Sequence, residues 1–515
     1  SERSDGALER RVLRLGLQVG KVGTLDPHLA SGSQDRIIAD LLFNGLLRYK
    51  PGQAPKLEPD LAGSFPEYEM DKGKQVWTVK LKKGVFFHPG DTLKPYELTA
   101  DDVVFSLRKA ADPRYSKYAG AYSGMSFKKI DAQTLQIILD KPLSPTLFFS
   151  KIADYSGGFI VSKRAIKARG YDWFKKHPVG TGPFRFVQRL PEEKVVLAGH
   201  DRYFRGRPKL RGVEVHLVPS FLRREAGVKA GRLDVAAATG DPDFLERLFS
   251  GSRYILDIHG VGEVVTIHLN TSKAPLDDVT VRKAILYALD RKEFLKSCHP
   301  VVVEEVLAPV PGELLPGGMK KEMVRVLNLD YESGLEKAKQ LLAAAGYADG
   351  FTLRVIASEK RLYRRLYKIL KEQLARINIR CAVELVPHSA MHRRIRNNES
   401  DMVIYGAWRP TTDAYLTRFF HSESIVLNGK NPDTNFSHYA KIDSLIEAAR
   451  TEILPGKQKW LWAHAQIRIL NDAVAYPLFF VKQFYLRRPA VDYGHPLSAS
   501  MALYPQVTEK TVFIE

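Results

Sequence analysis

The chain has 515 residues, 78 Lys plus Arg against 58 Asp plus Glu, a net charge of +20 and 44% hydrophobic residues. That length calls for two or three lobes with packed cores, and the surplus of positive charge draws acidic ligands or surfaces. Two cysteines, Cys298 and Cys381, with no CxxC spacing exclude a structural zinc or a disulfide-dense scaffold, and no apolar run reaches the roughly 18 residues of a membrane span.

The opening SERSDGALERR is polar and charged, the one stretch where disorder is expected, and it shows no signal peptide. The chain therefore reads either as cytoplasmic or as a mature, processed protein. "RVLRLGLQ" alternates Leu13, Leu15 and Leu17 with polar neighbours, the period of a half-buried strand. "QVWTVKLKKGVFF" and "DAQTLQIILDKP" repeat that pattern. Between them "LTADDVVFSLRKAAD" predicts a helix, with Thr99 as N-cap, Asp101 and Asp102 in the first turn and Pro113 beyond its end. Strands follow in "VGTGPFRFVQ", "EKVVLAGH" and "VEVHLVP". The glycines of "GTGP" lead into a strand with no GK[ST], so they mark a tight turn and not a phosphate loop.

The second half alternates helix and strand. "TVRKAILYALDRKEFL" predicts one helix capped by Thr280, with Ile285, Ala288 and Leu289 inward. "YESGLEKAKQLLAAAGY" predicts another, with Leu335, Ala338, Leu341, Leu342 and Ala345 on its apolar stripe and Gly346 just past its end. Strand "FTLRVIA", helix "RLYRRLYKILKEQLARI", strand "RCAVELV", a short helix from Ser389 and strand "DMVIYGA" continue the alternation. Such alternation implies βαβ crossovers and a partly parallel sheet. The chain ends with strand-like "AYPLFFVKQFYLRR" and "TVFIE". The arginine clusters 361/364/365, 393/394/396 and 202/205/207 are interleaved with apolar or turn residues and read as solvated faces, without the spacing of a nucleic-acid module.

No motif announces catalysis. There is no GxSxG elbow, and neither cysteine has a histidine partner in sequence. Asp101-Asp102 and Asp277-Asp278 sit at helix starts, where capping explains them. His388 and His392 have the i,i+4 spacing of metal ligands, yet HExxH and an acidic third ligand are missing. "NTS" at Asn270 and "NFS" at Asn435 match glycosylation sequons, a pattern short enough to arise by chance. No catalytic residue, metal or cofactor is assigned.

One stretch carries more chemistry than its place requires. "DMVIYGAWRPTTDAYL" leaves an apolar strand ending near Tyr405 and at once presents Trp408, Arg409, Thr411, Thr412 and Asp413. Strand ends are where α/β folds place ligands. Trp408 offers a stacking platform, Arg409 a bidentate grip on a carboxylate, and the threonines neutral hydrogen bonds.

Seven segments in order resemble one family, the extracellular solute-binding proteins of ABC importers, family 5, peptide/nickel type: "LDPHLASGSQDRIIADLLFNGLLRY", "PDLAGSFPEYEMDKGKQVWTVKLKKGVFFHPGDTLKPYELTADDVVFSLRKAADP", "VGTGPFRFV", "APLDDVTVRKAILYALDRKEF", "EKAKQLLAAAGYADGFTLRV", "LKEQLARINIRCAVELV" and "ESDMVIYGAW". The resemblance implies an α/β, two-lobed periplasmic-binding-protein fold (type II, cluster C-like) with mixed sheets and a hinged cleft. Lobe I would be discontinuous, residues 1–48, 180–261 and 477–515; domain II, 49–179, would be inserted in it; lobe III would span 262–476. It implies a periplasmic or lipid-anchored monomer that binds a peptide or peptide-like small solute and no nucleic acid, and that delivers its cargo to an ABC permease. A metal chelate, an opine-like conjugate, a carboxylate or an oligosaccharide is the alternative cargo, and a regulator that borrows the fold a more distant one.

Relatives that bind peptides hold the α-ammonium with an aspartate shortly after the strand-end tryptophan. Trp408 matches that tryptophan, but Thr411 stands at the aspartate's position and Asp413 lies two residues further on. Either Asp413 takes the ammonium or the protein does not bind a free amino terminus. By the same resemblance Ser31, His388, Phe479 and Phe480 fall at pocket positions, the two phenylalanines being equally readable as core.

Overall fold

The computed structural model describes residues 11–514 apart from Ser31, Asp91, Ser156, Ser252 and 500–503. The chain divides into two compact units. One comprises residues 1–239, 246–259 and 483–515, the other residues 240–245 and 260–482. Two long strands, Ile255–Leu269 and Ala475–Arg487, each pass from one unit into the other.

In the first unit Val12–Leu17 lies parallel to Gly212–Leu217 on one side and to Val235–Ala237 on the other. Gly212–Leu217, Lys194–Gly199 and Phe184–Leu190 follow as antiparallel neighbours, and Val235–Ala237 pairs with Tyr485–Arg487 at the far end of the chain. Leu13, Leu15 and Leu17 are buried as their alternation predicts. The turn before Phe184 packs against the end of the Ser33–Leu42 helix. A Cβ on Gly182 would meet the carbonyl oxygens of Leu41 and Leu42 at 2.8 Å, so this glycine answers a close backbone approach. Residues 67–139 build a separate antiparallel sheet, ordered Glu67–Asp71, Lys74–Lys80, Thr134–Leu139, Met125–Lys129. The two-unit division does not set residues 49–179 apart. The Ala100–Ala110 helix starts in a capping box of Thr99 and Asp102, and Asp101 reaches Lys129 at 2.8 Å.

In the second unit Phe351–Ser358 and Ile379–Val386 pair in parallel across the Arg361–Ala375 helix, the expected βαβ crossover. The His388–Arg396 helix then leads to Met402–Ala407, which pairs antiparallel with Ile255–Leu269 from Leu269↔Met402 to Val264↔Ala407. The helix expected from Thr280 is two helices. Val279–Ala288 is capped by Asp278, whose Oδ1 accepts from the Thr280 amide at 2.7 Å, and Arg291–Leu295 is capped by Asp290. Leu289 between them is extended, because the Asp290 carboxylate starts a new helix there.

Both cysteines are free, and burial raises their thiol pKa values to about 11 for Cys298 and about 12 for Cys381. Both sequon asparagines are buried. Asn270 donates to Asn398 Oδ1 at 2.6 Å, and Asn435 donates to the carbonyls of His421 and Tyr439, so neither amide faces solvent. Among the described residues no helix is long and apolar enough to cross a membrane.

Candidate functional site

The site grows from the end of the Met402–Ala407 strand, wholly within the second unit. Residues 402–405 and 407 are buried, as an apolar strand requires. One edge of this strand meets Ile255–Leu269. On its other edge two phenols act in place of a further strand. Tyr367 Oη accepts from the Ile404 amide at 2.8 Å and Tyr363 Oη from the Gly406 amide at 3.1 Å. The two tyrosines are one helical turn apart on Arg361–Ala375, so a single helix face satisfies two strand amides. Burial raises both phenol pKa values and keeps them neutral.

Past Ala407 the loop residues divide. Thr411 Oγ1 accepts from the Ala414 amide at 3.0 Å and caps the Thr412–Phe420 helix. Thr412 Oγ1 donates to the Pro316 carbonyl at 2.7 Å. Asp413 accepts from Arg450 Nε at 2.9 Å, and Arg450 also donates to Thr417. The expectation that Thr411, Thr412 and Asp413 face a ligand is corrected accordingly, since each has a protein partner that fixes the helix start. Asp413 is not an open acceptor for an ammonium group.

Trp408 and Arg409 are different. Trp408 is half-buried. Arg409 is half-buried, with its guanidinium over the Phe419 ring at 5.3 Å from the centroid and one nitrogen donating to the Trp408 carbonyl at 3.0 Å. Its Nε has no partner, and no carboxylate lies within 4.0 Å of it among the described residues. Burial and Arg418 lower its pKa while Asp433 raises it.

His388 also has its place here, with His392, which sequence spacing alone flagged. Arg396 donates to His392 Nδ1 at 3.0 Å, so His392 carries its proton on Nε2. That N–H donates to His388 Nε2 at 3.0 Å, which puts the His388 proton on Nδ1, 2.9 Å from Ser358 Oγ. The far end of Arg396 donates to Tyr405 Oη at 3.0 Å, and so ties the buried Tyr405 into a relay from Ser358 to the strand. Burial, then His388, Arg396 and Lys360, lower the His392 pKa to about 4; burial and Lys360 lower that of His388. Both rings are therefore neutral at neutral pH. Among the described residues no group of three His, Cys, Asp or Glu could hold a metal ion. Arg396 is thus part of the relay, whereas its neighbour Arg394 is a half-buried cation paired with Glu384 and Glu399.

Phe479 and Phe480 are corrected to core. They are 0% and 3% exposed on the strand paired with Val303–Glu305, so neither lines an accessible cavity. Ser31 lies outside the described residues.

Sequence reasoning missed Glu263. Glu263 sits on Ile255–Leu269, one residue before the Val264↔Ala407 pair, with its Oε2 3.2 Å from where a Cβ on Gly406 would lie. Its side chain is exposed, and no cation lies within 4.0 Å of it among the described residues. The available signal was a lone charge inside the apolar run "GVGEVVTIHL".

A half-buried arginine without a carboxylate at the strand end of an α/β unit has the makings of a small-solute site. The family follows from comparison. The model of bacterial extracellular solute-binding proteins, family 5 Middle, matches residues 56–425, and the chain belongs to that family. Heme-binding protein A of Haemophilus influenzae is 27% identical over 475 residues, 87% of this chain and 83% of its own. The dipeptide-binding protein of Escherichia coli is 26% identical over 461 residues, 84% and 82% of the two chains. Among solved structures, the PBP/SBP MoaA from A.tumefacien R10 in complex with mannopinic acid aligns at a TM-score of 0.79 and 34% identity, over 98% of this chain and 100% of its own. The fold is the two-lobed type II periplasmic-binding-protein fold with mixed sheets.

Proposed function

We propose that this protein is the extracytoplasmic receptor of an ABC importer, that it binds a peptide-like small solute bearing a carboxylate, and that it passes this solute to a membrane permease. The observation that carries the reading is Arg409, a guanidinium beside Trp408 with no carboxylate partner among the described residues. An arginine left unpaired at a family-5 strand end is a fitting receptor for a ligand acid group. The mannopinic acid bound by the 34%-identical structure and the dipeptide named for the E. coli relative support solutes of this size and polarity. The E. coli relative also favours a second reading, a plain dipeptide.

Thermal melting against dipeptides, oligopeptides and organic acids tests this. A solute that binds only the native state stabilises it by about 2.7 kcal/mol at a hundredfold excess over Kd. A free-carboxylate ligand is expected to raise the melting temperature and its methyl ester to lose most of the rise. Trp408→Ala should abolish the shift. A shift that survives Trp408→Ala, or an ester as effective as the acid, would overturn the reading.

A further inference from the structure

A cavity of about 30 Å³ lies inside the first unit, lined by the end of the Ser33–Leu42 helix on one side and by residues 506–509 near the C-terminus on another. Four carboxylates line it, Asp40, Asp60, Asp154 and Glu509, against one guanidinium, Arg48. Asp60 is fully engaged. Arg205 Nε donates to its Oδ1 at 2.9 Å and Asn44 Nδ2 to its Oδ2 at 2.9 Å. Arg48 Nε is turned to Glu58, to which it donates at 2.7 Å. Asp40, Asp154 and Glu509 have no lysine or arginine nitrogen within 4.0 Å among the described residues. Asp154 accepts from the Tyr49 amide at 2.9 Å, and Asp40 accepts from Gln506. Glu509 is only 5% exposed, and its Oε2 is buried with no hydrogen-bond partner among the described residues. A buried carboxylate oxygen in the company of two further acids is costly unless a positive charge joins them.

We propose that this cavity binds one hard divalent cation, Ca²⁺ in preference to Mg²⁺, with Glu509 Oε2 as a ligand. The available donors are oxygens. Tyr203, Gln506 and Thr508 add neutral side-chain oxygens to the carboxylates, and no histidine or cysteine is among the lining residues, so zinc, nickel and copper lack the nitrogen or sulfur they favour. No three of the acids converge on one point. The ion therefore takes Glu509 with one of Asp40 or Asp154 and completes its shell from the neutral oxygens. Ca²⁺ accepts such an irregular shell. Mg²⁺ demands an octahedron and keeps several waters, and the cavity has room for only about two water-sized bodies. That size also excludes a peptide-like solute, so the site stands apart from the strand end of the second unit and does not rest on the reading of it. The ion ties the C-terminal segment to the Ser33–Leu42 helix and to the Asp154 loop, three parts of the chain remote in sequence.

The test is calorimetric titration and thermal melting of the full chain, freed of metal with EDTA and exchanged into potassium buffer. CaCl₂ should raise the melting temperature, and Ca²⁺ should bind at least about tenfold tighter than Mg²⁺. Glu509→Gln keeps the shape of the side chain and removes its charge. It should weaken Ca²⁺ at least about tenfold, yet melt no lower than the unaltered protein in EDTA, because its Oε2 has no hydrogen bond to lose. At least one of Asp40→Asn and Asp154→Asn should weaken Ca²⁺ in the same way. Glu384→Gln, which touches only an ion pair of the second unit, should leave the Ca²⁺ response intact. No rise with Ca²⁺, equal rises with Ca²⁺ and Mg²⁺, or a response that survives in Glu509→Gln would overturn the site. A Glu509→Gln chain that melts lower in EDTA would also overturn it, since Glu509 would then hold the fold through its own contacts.

Discussion

Two clusters around a buried or half-buried cation end differently in this protein. In the first unit Lys109 Nζ lies 2.8 Å from Asp26, with both side chains no more than 1% exposed. His28 Nδ1 at 3.2 Å and the Tyr115 carbonyl at 3.3 Å complete its surroundings. Every charge there has a partner, so the cluster is a structural brace. In the second unit the half-buried Arg409 guanidinium beside Trp408 has no carboxylate within 4.0 Å among the described residues. Taking a charge from water is costly unless it is paired, so a half-buried arginine without a carboxylate is where an acidic solute would gain most. The contrast separates a charge pair that holds the fold from the arginine proposed to receive the solute.

The largest expected effect falls on the brace. Lys109→Ala leaves Asp26 buried without its cation and should cost about 3–5 kcal/mol of stability in urea unfolding. Arg409→Ala inverts that profile. Its ligand-free stability should change by less than about 1 kcal/mol, whereas affinity for an acidic solute should fall roughly 10–100-fold by calorimetry. If Arg409→Ala unfolds the protein as readily as Lys109→Ala, the two clusters are of one kind.

Asp413→Asn sharpens the comparison inside the loop. It weakens a half-buried pair with Arg450 and should cost about 1 kcal/mol, with solute affinity unchanged. A large loss of affinity would return Asp413 to the ligand.

The smallest effect concerns the histidine relay. The folded-state pKa of His392, about 4, lies below the unfolded value near 6.5, so the unfolded chain binds more protons between them. The stability it contributes is fully present above about pH 6.5 and is lost as pH falls through about 4. His392→Gln should therefore make urea stability less steep between those values than in the unaltered protein. An identical slope would place the His392 proton outside the folding equilibrium.

Much of this was legible in the chain. Period-two leucines fixed the Val12–Leu17 strand, and strand–helix alternation foretold the parallel pair around Arg361–Ala375. Trp408 and Arg409 stood out because they follow directly on a buried strand. The rest depends on contacts distant in sequence. Glu263 meets the strand end through the pairing of residues 264–269 with 402–407, remote in sequence, and no local pattern encodes that register. The partners that take Asp413 and Thr412, Arg450 and Pro316, are likewise remote. Phe479 and Phe480 look the same in sequence whether they face a ligand or the core, and only burial tells the two apart.

The most direct measurement is mass spectrometry of the solute released from protein purified under native conditions. The account predicts a small molecule with at least one free carboxylate. A released solute without any acid group, such as a neutral oligosaccharide, would contradict it.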